Sequence, residues 1–252
     1  MVVITSKANP IVHHAIELKD KKNVRESGEC LVESEKIVHQ LCSEGKLTKI
    51  IVEEEKIDKY AYITDNFDGD IVYISSTVSE YISDASTSSG IFGFAKVPLV
   101  SGDIVDGNAV VLDNLQDPAN FGAIVRSALA FGFKDIFLID SVFPYSFKAI
   151  RASMGYVFDV KIHEVSYEEL SRVMKENDLT LVVADMNGVT LTDYKLPDKI
   201  ALVIGNEGNG ISDTIKAMKL DTISIPMQNN VESLNASISA SILMHYISNK
   251  EI

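Results

Sequence analysis

The chain has 252 residues, 46% of them hydrophobic, with 23 basic against 36 acidic side chains and a formal net charge of −13. That length buries one large core or two modest ones, and no stretch reaches the roughly 18–20 uncharged apolar residues of a membrane-spanning helix. The acidic balance argues against a protein that coats itself with nucleic acid, because Lys and Arg supply most non-specific affinity for phosphate; residues 1–40, with six basic and six acidic side chains, are neutral and leave room for a local basic strip.

In chain order, residues 1–10 carry no apolar run of the signal-peptide kind, so a cytoplasmic location is expected. Helical periodicity predicts helices over 10–21 and 34–44, and β-rich runs predict strands at 47–53 and 70–75. Cys30 and Cys42 are the only cysteines and form no CxxC pair. They are expected to be reduced thiols packed as small hydrophobes. His13, His14, His39, His163 and His245 lack metal-ligand spacing, so no metal is expected. Residues 83–93 contain Ser86, Thr87, Ser88, Ser89, Gly90 and Gly93 and have the composition of a joint. Pro98, Gly102 and Gly107 add breaks after it. The expected division is therefore a small α/β domain over 1–97, a linker near 83–106, and a second domain over 107–252.

Beyond the linker, apolar β-rich runs at 109–112, 134–139, 179–184, 200–204 and 222–225 alternate with helical segments. Runs of this kind suit a parallel sheet buried on both faces by helices, an α/β fold. Ligands on such sheets bind outside the carboxyl ends of the strands, which points to the segments after Leu112, Ile204 and Ile225.

In the first segment, Asp117 followed by Pro118 reads as a helix start, a capping carboxylate with proline at the first helical position. Asn120 sits near the helix entry, and Arg126 projects from its body nearly two turns later. By itself, an arginine in a helix is most often a surface or ion-pair residue. The second segment, Gly205-Asn206-Glu207-Gly208-Asn209-Gly210, follows a strand. Its glycines allow close backbone approach to a ligand and positive φ. Their order is neither the dinucleotide fingerprint nor a phosphate-binding loop with its lysine. A glycine-rich turn is often only a turn, but Glu207 at a strand's carboxyl end can accept bonds from substrate or arginine. The third segment, Ile225-Pro226-Met227 then Ser233-Leu234-Asn235, leads into a helix rich in small hydroxyl residues that suits close packing against a neighbour.

Together the three segments resemble the SpoU (TrmH-like) family of RNA ribose 2′-O-methyltransferases in the SPOUT superfamily, with order and spacing matching over 110–247. The front end is similar too: Ile4-Thr5-Ser6, Asn9-Pro10, Arg25 and Leu31-Val32-Glu33 resemble the family's ribosomal-protein-like substrate-binding domain, and 87–91 its linker. The resemblance implies a C-terminal α/β domain with a trefoil knot, a known exception to the rule that chains avoid knots. It implies S-adenosylmethionine as cofactor, contacted by Gly205, Ile225 and Leu234. Arg126, Asn120, Glu207, Ser233 and Asn235 match its catalytic-site positions. It further implies a homodimer formed through the knotted domain and RNA as substrate, ribosomal in preference to transfer RNA. Lys7, Arg25, Lys148 and Arg151 are candidate RNA contacts, with ordinary surface cations as the alternative.

Methyl transfer to an oxygen is an in-line displacement, so alignment supplies much of the acceleration. An arginine stays protonated at ordinary pH. The expected role of Arg126 is accordingly to hold a phosphate and stabilise developing negative charge, with Glu207 and Asn120 orienting it; a role as base stays open. Two residues depart from the family pattern: Asn229 stands where glycine is usual, and Tyr156 follows Gly155 where a small residue is usual. Asparagine tolerates positive φ, whereas Tyr156 bears on the shape of the substrate pocket. The alternative function is a catalytically silent RNA-binding or ribosome-assembly factor of the same fold. A nucleotide-dependent dehydrogenase is disfavoured by the missing fingerprint.

Overall fold

A computed structural model describes residues 2–98, 104–218, 220–229 and 233–249. The chain forms two compact units, Met1–Pro98 with Tyr145–Gly155, and Leu99–Pro144 with Tyr156–Ile252.

In chain order the first unit runs β1 (Val3–Ile4), α1 (Pro10–Glu17), α2 (Lys21–Ser27), β2 (Glu29–Glu33), α3 (Glu35–Ser43), β3 (Leu47–Glu53), α4 (Ile57–Thr64), β4 (Asp70–Ile74), α5 (Ser76–Ile82) and β5 (Ile91–Lys96). The single helix expected over 10–21 is two. Asn9 caps the first through the Ile11 N–H, and Asp20, in extended conformation, restarts the chain by accepting from the Lys22 N–H. The sheet order is β1-β4-β3-β5-β2, parallel from β1 to β3 and antiparallel through β5.

The joint expected over 83–93 is corrected here. Its last three residues open β5, a strand flanked by β3 and β2 with Ile91, Phe92 and Ala95 fully buried. Gly93 belongs there because a Cβ would come within 2.9 Å of Leu47 Cδ2. The serines ahead of it are tied inward: Ser83 Oγ and the Ser89 N–H donate to Glu33 Oε1 at 2.7 and 3.2 Å, and Ser79 and Ser88 share a 2.7 Å bond. Cys30 lies buried on β2, where burial and the neighbouring Glu29 push its thiol up.

The second unit contains β6 (Ala109–Asp113), α6 (Pro118–Ala130), β7 (Asp135–Ile139), β8 (Lys161–Glu164), α8 (Tyr167–Glu176), β9 (Thr180–Thr190), β10 (Ile200–Ile204), α9 (Asp213–Ala217), β11 (Asp221–Ser224) and α10 (Ala236–Asn249). Helix α7 (Phe147–Ala152), which lies between β7 and β8 in sequence, belongs to the first unit and packs on β2. All six strands are parallel in the order β11-β9-β10-β6-β7-β8. Every residue of β6, β7 and β10 is buried, the consequence of a parallel sheet covered on both faces.

Strand β8 is absent from the expected set. It is short and polar, and it is held by the buried Asp135–His163 pair at 2.8 Å, with His163 stacked on Phe137 at 4.4 Å between centroids. Strand β9 runs further than expected. Its pairing with β11 breaks after Val183 and resumes at Val189, so residues 184–188 leave the ladder at the carboxyl end of the sheet.

Candidate functional site

Three loops leave the carboxyl ends of β6, β10 and β11, as the strand-end rule requires. The first is fixed by its neighbours: Asn114 takes a left-handed φ of 61°, the Leu115 N–H donates to Ser141 Oγ at 3.0 Å, and Asp117 Oδ1 caps α6 through the Ala119 N–H at 2.9 Å. The second folds back on itself, with paired backbone bonds between Asn206 and Gly210 at 2.8 and 2.9 Å. Asn206 Oδ1 accepts from the N–H groups of Gly208 and Asn209, while its amide donates to Asn114 O at 2.8 Å and ties the two loops together. Gly205 is required at the base of this turn, since a Cβ would lie 2.5 Å from the Gly210 carbonyl carbon. Below the loops, the buried Asp113 carboxylate accepts from the Ser212 N–H at 2.7 Å and the Tyr167 hydroxyl at 2.9 Å.

At the junction the carboxylate of Glu207 accepts from the Asn120 amide at 3.0 Å and from the Asp117 and Gln116 N–H groups at 3.1 and 3.4 Å. Asn120 Oδ1 in turn accepts from the Asn235 amide at 2.9 Å, and Asn235 Oδ1 accepts from the Ser237 N–H at 2.9 Å at the entry to α10. One relay of polar side chains therefore joins all three segments. Burial pushes the Glu207 carboxyl up, but the Asn120 amide and the backbone N–H groups outweigh it and hold it below its ordinary value.

A cavity of about 380 Å³ opens between these loops, lined by Gly205, Glu207, Ile225, Ser233 and Leu234 among the expected residues. Met227 of the third segment also lines it, together with residues 184–186 of β9 and Ser239, which sequence reasoning missed. The signal was available for 184–186: β9 lies between β10 and β11, and its carboxyl end satisfies the same strand-end rule.

Arg126 stands apart from this relay. Six residues along α6 from Asn120, about 9 Å of rise, it is exposed and, among the described residues, makes no hydrogen bond or ion pair. The expectation that Glu207 and Asn120 orient Arg126 is thus corrected: they hold each other and the start of α10. Arg126 instead lines a second cavity on α6 with Phe131 and Tyr156. Lys7, Arg25, Lys148 and Arg151 are all exposed and all belong to the first unit. Lys7 lies 4.5 Å over the Tyr81 ring. Asn229 has a φ of 61°, the left-handed geometry that its position calls for.

The sequence model of the SpoU rRNA Methylase family matches residues 107–245. A 23S rRNA (adenosine(1067)-2′-O)-methyltransferase of Streptomyces azureus is 33% identical over 180 residues, 68% of this chain and 67% of that relative. Among solved structures, an AdoMet-bound rRNA methyltransferase from Sinorhizobium meliloti has a TM-score of 0.84 at 23% identity, covering 100% of this chain and 98% of the other. A SpoU methyltransferase from Streptomyces viridochromogenes in complex with AdoMet has a TM-score of 0.85 at 21% identity, covering 96% and 98%. At these identities the two structures establish the fold, over nearly the whole chain.

Proposed function

The chain belongs to the SpoU rRNA methylase family, and from that membership we propose that it transfers a methyl group from S-adenosylmethionine to a ribose 2′-hydroxyl of ribosomal RNA. The observation that carries this is the Glu207–Asn120–Asn235 relay at the rim of the three-loop cavity, because it binds three separate segments into one site. The cavity suits the cofactor. Its volume falls in the range of small-molecule sites, Ile204, Ile223, Ile225, Leu234 and Leu243 give an apolar flank, and loop backbone supplies polar groups. Its charged lining among the described residues is Asp185 and Glu207, both acidic, which favours a sulfonium cation and disfavours a pyrophosphate.

S-adenosylmethionine supplies, when bound, a methyl carbon on a positively charged sulfur. The residues of the chain do the rest. Gly205, Ile225 and Leu234 shape the cofactor cavity, Ser233, exposed in its lining, is placed to align a ribose, and Asn235 holds this segment to Asn120. The Glu207 oxygens are engaged by three donors, so this carboxylate fixes the loop and keeps negative charge beside the cofactor rather than accepting the hydroxyl proton. The Arg126 guanidinium, outside the cofactor cavity of its own chain, holds a phosphate of the RNA.

The reading extends to the trefoil knot among the three loops, to RNA binding by the first unit through Lys7, Arg25, Lys148 and Arg151, to a cytoplasmic location, and to a homodimer. Ile238 and Ile242, one turn apart on α10, are 51% and 40% exposed, an apolar pair that a second copy would cover. No helix among the described residues is long and apolar enough to cross a membrane. The test is transfer of labelled methyl from S-adenosylmethionine to total RNA from cells lacking this protein, with Arg126→Ala alongside and the modified nucleotide mapped. Label at one 2′-O-methylated ribosomal nucleotide that is lost with the variant supports the proposal; cofactor binding without label in any RNA would overturn it.

A further inference from the structure

We propose that Tyr156 is a substrate-binding residue, its ring stacking on the base of the nucleotide whose phosphate Arg126 holds. This rests on the proposed RNA methyl transfer. The second cavity on α6, about 530 Å³, is large enough for one nucleotide, with Ala123 and Ser127 leaving room beside Arg126, Phe131 and Tyr156. Its polar equipment is uncommitted where it matters. Arg126 has no partner among the described residues. Ser127, by contrast, is engaged with Ser241 at 2.7 Å.

The rings are held in place. Phe131 meets His245 edge-on at 5.3 Å, and Tyr156 opens a 3-10 turn, Tyr156–Phe158, anchored by the buried Val157 and Phe158. A guanidinium fork beside pinned aromatic surface is the combination that takes one unstacked nucleotide, phosphate on the cation and base on the ring. An unpaired guanidinium attracts an anionic ligand, and the aromatic surface beside it selects one that carries a base.

The experiment compares wild type, Tyr156→Ala and Tyr156→Phe. Total ribosomal RNA from cells lacking this protein serves as probe, for methyl-transfer kinetics and for direct RNA retention, with sedimentation and thermal unfolding alongside. Removing the ring is expected to raise KM for RNA and weaken retention roughly tenfold, with kcat and cofactor affinity within twofold, while Tyr156→Phe stays near wild type. Unchanged KM and retention in Tyr156→Ala would overturn the assignment, as would a change of sedimenting mass, which would make the cavity an interface. If wild type methylates no RNA, the proposed function fails and the cavity is judged by retention alone: a tenfold loss in Tyr156→Ala upholds the nucleotide site, and equal retention rejects it.

Discussion

The Glu207 carboxylate and the Asn120 amide lie 3.0 Å apart, 87 positions apart in sequence, and Asn120 passes the bond on to Asn235. An amide at 207 would keep one acceptor and point a second N–H at the donors already there. Glu207→Gln is expected to reduce methyl transfer at least tenfold and to destabilise the second unit by about 1 kcal/mol, the value of a partly solvated charge-assisted bond. Initial rates and thermal denaturation check this, and wild-type values in both would show that the relay is dispensable.

The same carboxyl gives a pH signature. Its folded-state pKa lies below the ordinary 4.5, so the ionised form is favoured by folding. Its stabilisation is fully present above the ordinary value and is lost as pH falls through the folded value. The stability gap between wild type and Glu207→Gln is therefore expected to be constant near neutrality and to close below pH 4.5. Denaturant midpoints from pH 7 down to about 3 measure it; a gap that widens on acidification contradicts the assignment.

Arg126 tests the value of a planar fork. Lysine keeps the charge but presents a single point donor in place of two parallel N–H groups. Because Arg126 makes no bond within the described residues, Arg126→Lys is expected to leave stability unchanged within ±0.5 kcal/mol. Activity is expected to fall roughly tenfold or more through loss of the bidentate bond. Cofactor affinity, measured by calorimetry, should not move, since Arg126 lies outside the three-loop cavity.

The chemistry-bearing loops were legible because Asn120, Glu207, Gly205 and Asn235 belong to dense local motifs, the first three behind the continuous apolar strands β6 and β10. Less visible was anything set by distant partners. β5 hid behind serines and glycines whose places are fixed by Glu33 and Leu47. β8 hid because it is short and polar, with His163 buried against Asp135 and Phe137 on the next strand. α7 reads as part of the second domain from chain order alone, but it packs on β2. The role given to Arg126 relative to Glu207 failed for a similar reason: spacing along α6 says how far apart two side chains are, not which of them meets a loop 87 positions away.

Gly205 is the position where a single methyl group should disable the cofactor cavity. A Cβ there meets backbone, the Gly210 carbonyl carbon at 2.5 Å and oxygen at 2.6 Å, and neither can rotate away. Gly205→Ala must displace the 206–210 turn, a strain on the order of 1–3 kcal/mol. Cofactor affinity is expected to drop more than tenfold while far-ultraviolet circular dichroism stays that of wild type. Gly208 serves as the internal control. A Cβ there comes no closer than 3.7 Å to Asn206 Oδ1, so Gly208→Ala should bind cofactor nearly as well as wild type.

Asn229 completes the turn after Ile225-Pro226-Met227 with a φ of 61°, where the family pattern has glycine. Asparagine enters the left-handed region at lower cost than other side chains, and a β-branched residue enters it at the highest. Asn229→Gly is therefore expected to leave activity intact and change stability by less than about 1 kcal/mol. Asn229→Val should cost roughly 1–2 kcal/mol and weaken cofactor binding with it, since Met227 and Ile225 line the cavity two and four residues away. Equal melting temperatures and equal cofactor affinity for the glycine and valine variants would mean that the turn does not depend on this geometry.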